Sequence, residues 1–129
     1  KYHSYLCVIP GQVLAEMYKK YGARLLEANV RSFLQFRSDV NKGIKNTLLN
    51  NPDMFFAYNN GITVTASSCE PDSQGNIISL TNLQIVNGGQ TTAALFHAMK
   101  NNFDLDGVFI SALHDCCQIL DYKSLSNVH

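Results

Sequence analysis

A chain of 129 residues is long enough for one domain with a real core, and 46% apolar against 16% charged residues excludes wholesale disorder. Ten basic residues balance ten acidic ones, so the overall charge points to neither nucleic acid nor a membrane surface. No apolar run approaches the roughly 20 residues that cross a bilayer, and no signal peptide is visible, so a soluble cytoplasmic domain is expected. The chain opens on Lys1 rather than methionine, which reads as a piece of a longer protein.

Tyr5 to Ile9 is a short apolar run stopped by Pro10 and Gly11, the pattern of a buried strand. Val13, Leu14, Met17 and Tyr21 follow at helical spacing, with Gly22 as the stop. Leu25 to Ala28 reads as a further helical turn. Asp39 is placed to N-cap a helix carrying Val40, Ile44, Thr47 and Leu48 on one face, which Asn50, Asn51 and Pro52 end. The aromatic stretch Met54 to Tyr58 reads as a strand, and Asn59-Asn60-Gly61 as a tight hairpin turn after it. Ile62, Val64 and Ala66 alternate with Thr63, Thr65 and Ser67, the period of a strand with one buried face. A polar turn over Pro71 to Asn76 leads to short strands at Ile77 to Leu80 and Leu83 to Val86. Thr91 to Asn101 has helical spacing, with Thr91, Ala94, Leu95 and Ala98 toward the core. Val108 to Ile110 reads as a last strand, and Leu113, Cys117 and Leu120 have helical spacing in the tail. The sum is a single α/β or α+β domain over residues 1–129, a small mixed sheet with three to four helices.

The residues that bear chemistry centre on Asn87, Gly88, Gly89, Gln90, Thr91 and Thr92. A strand runs into a turn without bulky Cβ atoms, and a helix begins at once. The first N–H groups of a helix have no intrahelical partner and the dipole there favours an anion, so these six residues form a candidate phosphate seat. It is no P-loop, because GxxxxGK[ST] is absent. Its plainer reading is a tight strand-to-helix connection with nothing bound. Asn59, Asn60 and Gly61 could orient a ligand or simply turn the chain. Asn29 and Arg31 frame a second ligand-orienting position, since arginine binds phosphate or carboxylate bidentately; a salt bridge to Glu27 or Asp39 is the plainer account.

Lys19, Lys20, Arg24, Arg31, Arg37, Lys42 and Lys45 stand against only Glu27 and Asp39 in their segment. Such a cluster is either a solvated face or a nucleic-acid contact surface. Cys7, Cys69, Cys116 and Cys117 form no CxxC pair and read as buried, reduced thiols. His3, His97, His114 and His129 lack zinc-ligand spacing, so no metal site is expected. Asp104 and Asp106 could hold Mg²⁺ if the domain is catalytic, but a solvated loop explains them as well.

Read in order, Tyr18-Lys19-Lys20-Tyr21-Gly22, Leu25-Leu26, Asn29-Val30-Arg31-Ser32-Phe33-Leu34, Val40-Asn41-Lys42-Gly43-Ile44, Thr47-Leu48, Asn59-Asn60-Gly61-Ile62-Thr63 and Ile85-Val86-Asn87-Gly88-Gly89-Gln90-Thr91 form a series. This series resembles the AIPR proteins, named for abortive infection and phage resistance, over about residues 9–110. The resemblance implies a prokaryotic or phage-borne antiviral defence protein, often encoded near restriction–modification genes and longer than this chain. The stretch 111–129 departs from the family and is an atypical tail. The layout is also similar to ParB/sulfiredoxin-like domains, where an Asn/Gln-x-Arg segment and a glycine turn surround a nucleotide phosphate. Here Thr91 stands where that group has its second arginine, which implies a weaker electrostatic grip.

These readings lead to a domain that binds a phosphate-bearing ligand, a nucleotide or a nucleic acid, at the glycine turn. Two alternatives stand beside it. The same site could serve a nuclease or nucleotide-hydrolysing toxin, or the domain could sense a phage protein, for which an exposed apolar patch is expected.

Overall fold

A computed structural model describes residues 3–28 and 38–116. Asn29, Arg31 and Arg37, and the tail positions Cys117 and Leu120, lie outside these residues.

Strand β1 (His3–Pro10) runs into helix α1 (Gly11–Tyr21), which stops at Gly22 and passes into a 3₁₀ turn (Gly22–Leu25). Helix α2 (Ser38–Asn50), a 3₁₀ turn (Pro52–Met54) and the short helix α3 (Phe55–Tyr58) come next. Strands β2 (Ile62–Ala66), β3 (Ser68–Pro71), β4 (Ile77–Thr81) and β5 (Gln84–Asn87) lead to helix α4 (Gly89–Lys100) and strand β6 (Phe109–Cys116). The main sheet has the order β1-β6-β2-β5, with β6 parallel to β2 and the outer pairs antiparallel. The expected α/β or α+β class with a small mixed sheet holds.

One long hairpin, interrupted once, supplies β2 to β5. β2 pairs with β5 and β3 with β4, and the two pairs are offset at Ser67 and Asn82. Ser67 Oγ bonds the Thr81 carbonyl at 3.2 Å and receives the Asn82 amide at 3.2 Å, while Asn82 takes φ +54°. Asparagine tolerates that left-handed conformation better than most residues, so the break sits where the sequence allows it.

Helices α1 and α4 pack on one face of the sheet, with the Tyr18 and Phe96 rings 5.3 Å apart. Leu14, Leu26, Phe55, Ile85, Leu95, Val108 and Ile110 are almost wholly buried at the centre. The alternation in β2 buries Ile62, Val64 and Ala66, as the sequence period requires. The opposite face is open: Leu6 and Val8 on β1 and Phe109 and Leu113 on β6 are all exposed.

Four expectations need correction. Met54 to Tyr58 is helical from Phe55, because Pro52 presets a helical start and only Phe55 enters the core. Asn59-Asn60-Gly61 therefore joins a helix to a strand and closes no hairpin. Leu25 ends a 3₁₀ turn and Leu26 is extended and bridges Ile85, so of the turn expected over Leu25 to Ala28 only Ala28 is in α-helix. Leu113 belongs to β6, which is held between β1 and β2 on either side; that pairing overrides its helical spacing. Boundaries also move: β1 begins at His3, Pro71 belongs to β3, α2 already begins at Ser38, one residue ahead of Asp39, β5 runs to Asn87, and α4 begins at Gly89, two residues ahead of Thr91.

The turn between β3 and β4 is built on Asp72. Its carboxylate accepts the backbone N–H groups of Gln74 at 2.8 Å and Asn76 at 2.9 Å. Those bonds, that of Gln74 first, hold its pKa below the ordinary 3.8. A depressed carboxylate pKa adds stability that is complete above the unfolded value and is lost as pH falls through the folded one. Asp72→Asn keeps an acceptor but removes the titration. Urea unfolding across a pH series should show wild type ahead of the variant at about pH 5 and above, with the gap closing below about pH 4.

Candidate functional site

The two polar turns singled out in the sequence meet at one end of the main sheet. Antiparallel pairing requires it, since β2 starts where β5 ends, with Thr63 opposite Asn87. A register irregularity between Thr63 and Val64 lies at this point, a common place for a bulge beside a site.

Gly88 alone forms the turn between β5 and α4, with φ +98° and ψ 20°. A Cβ there would lie 2.5 Å from Ile62 Cγ2 and 3.0 Å from the Gly61 carbonyl oxygen. Only glycine allows both the left-handed backbone and this approach. Gly61 has φ +80°, and a Cβ on it would overlap the side chain and carbonyl of Ser111. Each turn is thus pressed against the start of β2 or the strand beside it.

Asn59 ties the turns together. Its Oδ1 accepts the Gly61 N–H at 2.8 Å, and its Nδ2 donates to Thr91 Oγ1 at 3.2 Å. Thr92 is fully buried, and its hydroxyl returns to the Gly88 carbonyl at 3.0 Å. The two threonine hydroxyls expected to face a ligand are therefore engaged within the protein. Helix α4 has no side-chain cap at Gly88, so its N-terminus keeps main-chain donors and the positive end of its dipole. Asn87 is exposed, and Gly89 is buried at the start of the helix.

Beside these turns lies a cleft of about 390 Å³, lined by Gly43, Ile44, Thr47, Phe55, Tyr58, Asn59, Asn60 and Thr91. Of the expected site residues, it gathers Asn59, Asn60 and Thr91. The reading of the sequence missed Gly43, Thr47 and Tyr58. A glycine inside the α2 pattern was the available signal for the first; Tyr58 was hidden by the strand assigned to it. Among the described residues, no carboxylate, imidazole, thiol or cation lines the cleft, and the polar side chains that do are amides and hydroxyls.

The basic residues divide. Lys42 and Lys45 are exposed on α2, next in sequence to the lining residues Gly43 and Ile44. Lys19, Lys20 and Arg24 are exposed at the end of α1 and beyond, away from the lining. There Lys19 and Lys20 complement the helix C-terminus, Lys20 lies 5.3 Å from the Tyr21 ring, and Arg24 Nε donates to the Tyr21 carbonyl. Asp104 Oδ1 accepts the Asp106 N–H at 2.9 Å, which makes the pair a loop-forming turn. Among the described residues, no group of three His, Cys, Asp or Glu side chains is placed to hold a metal ion. No helix among them is long and apolar enough to cross a membrane. His97 is exposed on α4, as expected, and Cys7 is half-buried, where burial pushes its thiol pKa up.

The model of the AIPR protein family matches residues 26–114, a stretch that includes both turns and all of α2. No curated protein and no solved structure gives a significant match.

The close approach at Gly88 predicts that Gly88→Ala lowers stability by about 1–3 kcal/mol, through strain at positive φ and displacement of Ile62. Chemical denaturation measures the loss. The Asn59–Thr91 bond predicts coupling between the two side chains. In a double-mutant cycle of Asn59→Ala and Thr91→Val, the interaction should be on the order of 1 kcal/mol, and strict additivity would show that the bond contributes nothing.

Proposed function

The chain belongs to the AIPR family, and from that membership and the geometry of the two turns we propose that it binds a phosphate-bearing ligand within a phage-defence protein. The ligand is a nucleotide or a nucleic-acid strand. Its phosphate sits at the start of α4, where the N–H groups of Gly89 and Thr91 and the helix dipole favour an anion. Asn60 orients it from the neighbouring turn. Lys42 and Lys45 add positive charge near the cleft, and Arg31 neutralises the phosphate.

The reading rests on one observation. The bond from Asn59 to Thr91 joins two turns at the mouth of α4, beside a cleft of about 390 Å³ with an amide and hydroxyl lining. That lining offers hydrogen bonds but no group suited to proton transfer near neutral pH, so it favours binding over hydrolysis. The sensing alternative draws on another observation, the exposed apolar face of Leu6, Val8, Phe109 and Leu113. A phage protein would cover that face, which is a separate surface from the cleft.

Titration of inorganic phosphate, nucleotides and labelled DNA and RNA tests the proposal. Gly89→Val should weaken binding of the phosphate-bearing probes at least about tenfold, and Arg31→Ala should weaken it and flatten its salt dependence. Leu6→Ser combined with Leu113→Ser should leave it unchanged. Binding that neither site variant weakens, across the salt series, overturns the reading; loss on the Leu6 and Leu113 pair moves it to the sheet face.

A further inference from the structure

Gly43 lies in the interior of α2, where glycine is the least favourable residue apart from proline. Among the described residues nothing calls for it: its φ lies outside the left-handed region, and a Cβ built on it would meet none of their heavy atoms within 4 Å. Its carbonyl is satisfied by the Thr47 hydroxyl at 3.1 Å. Gly88 and Gly61 are explained by neighbours that press on them; Gly43 faces open space in the cleft.

Tyr58 lines the same cleft and is 63% exposed. A large aromatic side chain left in water beside a stretch of bare helix backbone matches the needs of a flat ring. A ring of that kind would stack on the tyrosine and pass over the bare backbone at position 43. Asn60, also in the lining, carries both a donor and an acceptor for the polar edge of such a ring. The cleft volume of about 390 Å³ is in the range of small-ligand pockets.

We propose that the cleft is a base pocket: the base of a nucleotide lies against Tyr58 and over the Gly43 backbone, with its phosphate at the start of α4. This rests on the phosphate-binding reading and adds to it the ligand class and two specificity residues.

Calorimetric titration of the full chain with AMP, CMP, ribose 5-phosphate and inorganic phosphate separates the two ideas. At least one of AMP and CMP should bind about tenfold or more tighter than ribose 5-phosphate, as expected for one stacked base. Gly43→Leu and Tyr58→Ala should reduce that nucleotide to the affinity of ribose 5-phosphate and leave ribose 5-phosphate itself unchanged. Tyr58→Phe should retain the preference. Thermal melting guards against misfolding, because Gly43→Ala and Gly43→Leu should melt at or above the wild-type temperature. Equal binding of nucleotide and ribose 5-phosphate, or a base preference that survives both Gly43→Leu and Tyr58→Ala, overturns the base pocket and leaves the phosphate seat standing. No binding of any probe overturns both.

Discussion

Gly88 touches the backbone of Gly61 and the side chain of Ile62, and much of the arrangement around the cleft depends on that contact. β2 and β5 are antiparallel neighbours, so the turn entering one strand and the turn leaving the other share a sheet end. A side chain at Gly88 would hold the two turns apart, and one at Gly61 would push its turn off Ser111 on β6. Glycine at each lets the main chains close, and Asn59 then spans the gap to Thr91. The Thr92 hydroxyl on the Gly88 carbonyl holds the first turn of α4 to the residue that precedes it. Position and orientation of α4 relative to α2 and α3 depend on these few contacts.

The same contacts decide the chemistry that remains. Thr91 and Thr92 each have a hydroxyl engaged internally, while Asn60 lines the cleft beside the start of α4. Donors of this kind favour an anion by geometry and by the helix dipole. Lys42 and Lys45, one residue from the lining on α2, supply charge from its edge.

Features with a local cause were legible in the sequence. Gly22 ends α1 because it takes positive φ, β2 alternates because one face is buried, and α4 succeeds the glycine turn. Features set by distant partners were not. The aromatic run at Met54 to Tyr58 looked like a strand because aromatic residues favour sheets. Pro52 and the burial of Phe55 alone make it a helix instead. Leu113 has helical spacing with Cys117 and Leu120 in the sequence, yet β1 and β2 claim it for the sheet. For the site, both turns could be found by their glycines and amides. Their meeting could not, because it depends on the pairing of β2 with β5. Gly43 and Tyr58 reach the cleft through helix packing, which no local pattern encodes.

Glycines in this fold divide by whether the protein itself accounts for them. Gly61 and Gly88 have positive φ and neighbours that a Cβ would strike, so their conformational cost is offset by contacts that position the site. Gly43 has neither, and sits where alanine would favour the helix by about 1 kcal/mol. Among the described residues no contact requires glycine there, and the position lines the cleft together with Tyr58, Asn60 and Thr91, so the proposed ligand ring across α2 would account for both the lost helix stability and the open space.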